Sequence, residues 1–265
     1  MGQGVKYSKW KIILKYVRYY IRAGNAHSVH SPFVFSLYRE VIKKDNARAD
    51  FRGIESTRSI MEKEKMLHSC TYAPSPDGTA RRRSIAEISR SSAIKPRYGR
   101  LLSRLVEHFK PGCILEIGTS LGISTLYLAK NFSGSRFISL EGCRECAARA
   151  AVNLKASGKG YVEIITGEFS QTLPGLLENN DKPDFVFVDG NHQYDAVLEY
   201  YTLLKPIVRP GSVLIFDDIH WSPGMERAWN AVVDDPDVTV TVDLFFFGLV
   251  FFREKQQKQH FQLRF

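Results

Sequence analysis

A strand–turn–helix pattern at residues 112–124 constrains the fold of this chain more than any other feature. The segment reads Gly-Cys-Ile-Leu-Glu-Ile-Gly-Thr-Ser-Leu-Gly-Ile-Ser, and a helical pattern follows it from 123 to 130. The glycines at 118 and 122 permit tight backbone angles and close approach of a ligand, and the start of a helix offers free N–H donors. The pattern therefore predicts a nucleotide-type cradle in an α/β fold.

The spacing of the glycines separates this turn from a dinucleotide-binding fingerprint. That fingerprint is G-x-G-x-x-G, and Ser120 stands where its second glycine belongs. An acid, Glu116, two residues before G-x-x-x-G instead resembles the first motif of class I S-adenosylmethionine (SAM)-dependent methyltransferases. The variant Glu-x-Gly-Thr-x-x-Gly-x-Ser most resembles their small-molecule O-methyltransferase branch. An NAD-dependent oxidoreductase therefore ranks last among the functions considered.

A second resemblance lies near the N-terminus. The segment His27-Ser-Val-His30-Ser-Pro-Phe-Val-Phe looks like the N-terminal region of an uncharacterised, Bacteroidetes-type group of class I methyltransferases. This resemblance extends over residues 9–253 and supports the fold, but it indicates no substrate.

Strand and helix patterns alternate from residue 113 onward, which is typical of a parallel sheet flanked by helices. The predicted strands are 113–117, 136–140, 161–166, 184–189 and 212–217, followed by 238–242 and 244–252. Almost no residues separate the last two, so they are predicted to pair antiparallel as a hairpin. The predicted fold is a Rossmann-like class I methyltransferase, with a mostly parallel seven-stranded sheet, a C-terminal antiparallel hairpin and an N-terminal helical extension.

The same patterns predict three segments along the chain. Residues 1–95 are expected to form a helical extension or lid, with helices over 8–22 and 32–43 and an irregular stretch over 45–80. Residues 96–253 are the predicted SAM-binding methyltransferase domain, and residues 254–265 are a basic C-terminal tail.

Polar residues follow the predicted strands, at the sheet edge where open α/β sheets bind ligands. Glu141, about 20 residues past the glycine turn, suits two ribose hydroxyls, because one carboxylate accepts both. Phe169 follows the third strand, where the resembled family contacts adenine, and either stacks on the base or packs in the core. The predicted cofactor-binding residues are Glu116, Gly118, Thr119, Ser120, Gly122, Ser124, Glu141, Gly142, Gly167, Glu168, Phe169 and Asp189.

Three aspartates follow the fourth and fifth strands: Asp189, Asp217 and Asp218. Converging carboxylates without a lysine or arginine repel one another, and a hard dication such as Mg²⁺ would relieve this. In the metal-dependent O-methyltransferases that the pattern resembles, acids at these places hold Mg²⁺, which lowers the pKa of the substrate hydroxyl. The alternative is that the aspartates only cap helices or order a loop.

The catalytic base is predicted among histidines. Where catechol-type enzymes carry a lysine soon after the strand-four aspartate, this chain has Asn191, His192 and Gln193. His192 or His220, beside the acids, suits removal of a hydroxyl proton near pH 7. Together with Asp189 they form the predicted catalytic set. A histidine at such a place is otherwise a hydrogen-bonding wall residue.

The net charge of +9 is concentrated near the N-terminus, where the first 39 residues hold seven basic side chains and no acid. In the predicted helix over 8–22, the basic residues recur at helical spacing opposite an apolar face. That face consists of Trp10, Ile13, Leu14, Val17 and Ile21. We expect it to dock on the catalytic domain. An anionic membrane surface or a nucleic acid is the alternative partner.

Other features narrow the class of protein. Four scattered cysteines, including the pair Cys143 and Cys146, do not make a disulfide framework or complete a zinc site, which favours a reducing cytoplasm.

The chain lacks the Asn- or Asp-Pro-Pro-Tyr/Phe run and the Pro-Cys nucleophile of base methyltransferases. The sequence therefore favours O-methylation of a small hydroxylated molecule. Nucleic-acid methylation and a non-catalytic SAM-binding protein are the alternatives, and a homodimer stays open.

Overall fold

The computed structural model describes residues 6–44, 50–70, 81–178 and 182–265. Its helices are α1 Lys9–Arg22, α2 Pro32–Leu37, α3 Arg52–Met61, α4 Ile85–Ser92, α5 Pro96–Phe109, α6 Ile123–Lys130, α7 Arg144–Ala156, α8 Phe169–Glu178, α9 Tyr194–Leu204 and α10 Pro223–Asp234. Its strands are β1 Leu67–Cys70, β2 Arg81–Ser84, β3 Cys113–Ile117, β4 Arg136–Glu141, β5 Glu163–Thr166, β6 Phe185–Val188, β7 Val213–Phe216, β8 Val240–Asp243, β9 Gly248–Phe251 and β10 Gln259–Gln262.

The chain divides into two compact units. The first combines Met1–Lys44 with Asn180–Phe265, and the second is Asp45–Asn179. In the second unit β3 pairs with β4, and β4 with β5, all parallel. In the first unit β6 and β7 are parallel, β7 and β8 each pair antiparallel with β9, and β10 runs parallel to β8.

The fold class predicted from the sequence is confirmed. Five strands follow the order β10-β8-β9-β7-β6 in the first unit, and three follow the order β3-β4-β5 in the second. The strands β6, β7, β8 and β9 are buried along their length, which explains why they read as apolar runs. The predicted hairpin is β8 with β9. Phe245, Phe247 and Phe251, beside or within it, are core residues.

Strand β10 is the eighth strand and falls within the segment 254–265 that was predicted as a basic tail. Its sequence, Gln-His-Phe-Gln, has no apolar run and pairs along one edge of β8. Edge strands need little apolar surface, so the hydrophobic pattern gave no signal for this element.

The region after residue 50 is also more regular than predicted. It contains helix α3, and β1 and β2 pair antiparallel as a separate two-stranded sheet. The turn-rich run Tyr72-Ala-Pro-Ser-Pro-Asp-Gly-Thr lies outside the described residues. A capping box begins α4, because the Ser84 and Glu87 side chains each accept a backbone N–H of the other.

The prediction of which face of helix α1 docks on the protein is wrong. Its packed face carries Tyr19, which is buried, together with Ile12 and Tyr16. The face that was expected to dock is exposed instead, and its residues keep between 50% and 76% of their accessible surface: Trp10, Ile13, Leu14, Val17 and Ile21. Among the helices that the structure describes, none is both long and apolar enough to cross a bilayer.

Candidate active site

The predicted glycine turn lies between β3 and α6 in the second unit. Its backbone takes left-handed angles at Gly118 (φ 107°), Ser120 (φ 49°) and Gly122 (φ 85°), a conformation that glycine adopts without the penalty of a Cβ. A Cβ on Gly122 would also lie 3.2 Å from that of Ala150 in α7. The glycines therefore serve both the turn and the close packing of α6 on α7.

Glu141, at the end of β4, holds this turn in place. Its Oε2 lies 2.6 Å from the backbone N of Ser120, and its Oε1 lies 2.8 Å from the backbone N of Cys143. Both amides donate to the carboxylate. A carboxylate accepts several hydrogen bonds, so an acid at this sheet edge has the chemistry that ligand hydroxyls require.

Glu116, near the end of β3, is a second buried carboxylate beside the turn. Its Oε2 accepts from the hydroxyls of Thr125 and Ser139, both at 2.6 Å. Its Oε1 has no hydrogen-bond partner among the described residues. Burial raises the pKa of Glu116 to about 7, with a smaller contribution from Glu141, while nearby hydroxyls, including that of Ser124, oppose the shift. A buried acceptor without a partner is expensive, so this oxygen suits a cationic or donor ligand.

The remaining predicted cofactor-binding residues that lie near the glycine turn follow strands β3, β4 and β5. Thr119 is buried and its hydroxyl lies 2.5 Å from that of Ser139. Gly142 is half-buried after β4. Gly167, with φ at 155°, and the exposed Glu168 form the turn after β5. Phe169 starts α8 and is 6% exposed, which is a packed position.

The three aspartates lie in the first unit. Asp189 follows β6, and Asp217 and Asp218 follow β7. The backbone N–H of Asp218, a residue with φ 54°, donates to Oδ1 of Asp217 over 2.8 Å. The pKa of Asp217 is raised well above its ordinary value by burial and by the charges of Asp218 and Asp189, while His192 opposes the shift. These acids are therefore near enough to repel one another, as predicted.

The same acids do not fit a ready metal site. Within the described ranges, no group of three or more His, Cys, Asp or Glu side chains is arranged to hold a metal ion. The predicted Mg²⁺ ligand set is thus not supported.

The two candidate histidines differ in the acidic side chains that they contact. Nε2 of His192 lies 3.5 Å from Oδ1 of Asp189, and both side chains are partly exposed. His220 uses both ring nitrogens: Nδ1 is 3.0 Å from Oε1 of Glu226, and Nε2 is 2.9 Å from Oδ2 of Asp243. Burial acts to lower the pKa of His220, but these two carboxylates raise it to about 9.

His220 therefore does not suit the predicted role of general base. Its imidazolium donates both protons to carboxylates and holds no free lone pair near pH 7. The partners were missed because Glu226 reads as a first-turn helix residue and Asp243 as the end of a strand. Lys15 of α1 completes the cluster, with Nζ 2.7 Å from Oε1 of Glu226.

A mostly parallel sheet of this order, with an acidic glycine turn after its first long strand, is the fold of class I methyltransferases. Residues 115–219 match the family described as "Methyltransferase domain". The O-methyltransferase of Bacillus cereus, solved in complex with SAH, superposes with a TM-score of 0.58 at 22% identity, covering 78% of this chain and 94% of its own.

Two proteins that are similar in sequence are also named as O-methyltransferases. The chain is similar to a catechol O-methyltransferase of Niastella koreensis, with 31% identity over 140 residues, which is 51% of this chain and 62% of the relative. It is also similar to a transmembrane O-methyltransferase homolog of Rattus norvegicus, with 38% identity over 145 residues, which is 51% of this chain and 54% of the relative. The match thus spans less than two thirds of either relative. The resemblance to class I methyltransferases of the O-methyltransferase branch is confirmed.

Proposed function

We propose that this protein is a SAM-dependent methyltransferase that methylates an oxygen of a small hydroxylated molecule. The observation that carries the proposal is the pair of buried carboxylates at the glycine turn. Glu141 orders the turn through Ser120 and Cys143, and Glu116 keeps an oxygen without a partner. SAM is cationic and carries a ribose diol, so it offers charge and hydroxyl donors to such acceptors.

The residues fit distinct tasks at the cofactor. Glu141 would accept the ribose hydroxyls, and Glu116 would face the positive charge. Gly118 has a φ of 107°, which a residue with a side chain adopts only at a cost in free energy. Because the turn carries no side chain at this position, a ligand can approach its backbone closely. When bound, SAM supplies an electrophilic methyl group on its sulfonium.

His192 is the proposed general base. Its distance of 3.5 Å from Asp189 lets the carboxylate orient the imidazole and stabilise the imidazolium that forms. His192 would take the acceptor's hydroxyl proton at its imidazole and so prepare that oxygen to receive the methyl group. No step is assigned to a metal.

The proposed acceptor class follows from the relatives, whose names identify O-methyltransferases and in one case catechol as the substrate. We therefore propose hydroxylated aromatic molecules as the first acceptors to test. The sequence motifs of base methyltransferases are missing from the loop after β6, which continues Asp-Gly-Asn-His.

The test is calorimetric titration of S-adenosylhomocysteine into the purified chain, followed by an assay of methyl transfer to catechol, related phenols and total RNA. We expect micromolar binding and transfer to a phenol, with His192→Ala losing turnover but keeping the cofactor affinity. Failure of S-adenosylhomocysteine to bind would overturn the cofactor assignment. Binding without any transfer would favour a non-catalytic SAM-binding protein, and transfer to RNA alone would overturn the acceptor class.

A further inference from the structure

Helix α1 is fixed to the first unit by one side only. The hydroxyl oxygen of Tyr19 lies 2.7 Å from the carbonyl oxygens of both Asp243 and Leu263, to one of which it donates. The rings of Tyr16 and Phe245 meet edge to face at 5.0 Å, and Lys15 is paired with Glu226. These contacts hold the helix against rotation about its axis.

The opposite side of α1 carries an uncovered apolar stripe. A helix turns about 100° per residue, which places Trp10, Ile13, Leu14, Val17 and Ile21 in one arc facing away from Tyr19. All five are at least half exposed, and Trp10 keeps 76% of its accessibility. Single exposed apolar residues are common, but a continuous stripe of five large ones on one helix marks an interaction surface.

Basic side chains border this stripe on one flank. Lys11, Arg18 and Arg22 are exposed beside it, and none of the three forms an ion pair within the part of the chain that the structure describes. No aspartate or glutamate occurs in the first 39 residues. The surface therefore joins an apolar stripe to a patch of cations that no acid in this part of the sequence neutralises.

We propose that this face of α1 binds the surface of an anionic lipid bilayer, with the helix lying in the plane of the interface. The stripe would enter the boundary between headgroups and acyl chains, and the cations would meet the lipid phosphates. A helix of 14 residues is about 21 Å long, which suits the interface and is too short to span the bilayer. Charge complementarity selects this occupant, because a nucleic acid would use the cations and leave the stripe in water.

The proposal is independent of the methyl transfer reaction and is tested without it. The full chain is floated with vesicles of phosphatidylcholine alone and of phosphatidylcholine with phosphatidylserine, at low and high salt. Leu14→Asp with Ile21→Asp removes the stripe, and Arg18→Gln with Arg22→Gln removes two cations. Ile60→Asp with Val152→Asp, and Lys63→Gln with Arg144→Gln, are matched controls at exposed positions elsewhere in the chain.

We expect the wild type and both controls to float with the phosphatidylserine vesicles. Leu14→Asp with Ile21→Asp should lose at least tenfold in binding. Loss of two cations should weaken binding about 25-fold at low salt, since each is worth about fivefold at an anionic surface. A wild type that does not float, or floats equally after the stripe is removed, would overturn the proposal. So would a dimer, detected by sedimentation without lipid, that Leu14→Asp with Ile21→Asp dissociates, because a second copy would then cover the stripe.

Discussion

Nε2 of His220 lies 2.9 Å from Oδ2 of Asp243, a carboxylate that is almost completely buried. With Nδ1 on Glu226, the imidazole bridges two acids and holds its proton. Burial opposes a charged Glu226, but hydrogen bonds from His220, Lys15 and Tyr7 hold its pKa at about 2. The cluster joins α1 and α10 to the end of β8, so its charge state affects the stability of the first unit.

The His220 cluster predicts a defined pH dependence of stability. The folded pKa of about 9 exceeds the ordinary 6.5, so the stabilisation is complete below pH 6.5 and is lost as pH rises through 9. The shift corresponds to about 3 kcal/mol. His220→Gln should lower Tm most at pH 6 and least at pH 9.5, measured by thermal unfolding. His108→Gln at an exposed position is the control, and an equal loss of Tm at both pH values would contradict the protonated bridge.

Glu116 predicts a fall of stability with rising pH in the same direction as His220, but its removal should stabilise the protein at high pH. Its folded pKa of about 7 lies above the model-peptide value, so the folded state binds the proton more tightly and stability falls as pH rises from about 4.5 to 7. Glu116→Gln should therefore raise Tm at pH 8, leave it unchanged near pH 4, and weaken binding of SAM. Thermal unfolding and calorimetry measure these two effects. Glu199→Gln, exposed on α9, should change neither.

Glu141 should matter more for ligand affinity than for folding. Glu141→Ala removes the acceptor for the amides of Ser120 and Cys143 and the proposed acceptor for the ribose. Because hydrogen bonds to a charged group contribute about 1.5–3 kcal/mol each, we expect S-adenosylhomocysteine to bind at least tenfold more weakly by calorimetry. Unchanged affinity in a variant that still unfolds cooperatively would remove Glu141 from the cofactor site.

The features that follow from local chemistry were predictable, and those that depend on tertiary partners were not. The turn at Gly118 and Gly122 requires φ values that glycine supplies, so spacing alone indicates it. The docked side of α1 was not predictable, because Ile12, Tyr16 and Tyr19 form a second apolar face. The buried hydrogen bonds of the Tyr19 hydroxyl select that face. The partners of His220 were not predictable for the same reason, since Asp243 becomes its partner only when β8 is in place.

Asp217, in the loop after β7, predicts a further pH dependence of stability. Burial and the charges of Asp218 and Asp189 raise its pKa, so its ionisation opposes folding at neutral pH. Asp217→Asn should raise Tm at pH 8 and change it little at pH 4, because the amide removes the repulsion. The measurement is repeated with MgCl₂ and with EDTA. A Mg²⁺-dependent rise of the wild-type Tm that the variant lacks would contradict our statement that these side chains do not form a ligand set.

Two glycines outside the site differ in how closely other atoms pack against them. A Cβ on Gly248 in β9 would lie 2.4 Å from the ring of Trp229 in α10, whereas a Cβ on Gly53 in α3 would meet nothing within 4 Å. Gly248→Ala forces the indole to move and should destabilise the protein by about 1–3 kcal/mol. Gly53→Ala should stabilise it by about 0.5–1 kcal/mol, because alanine loses less backbone entropy in a helix. Urea unfolding of both variants gives the free energies. Equal effects in the two would mean that α10 does not pack on β9 as closely as described.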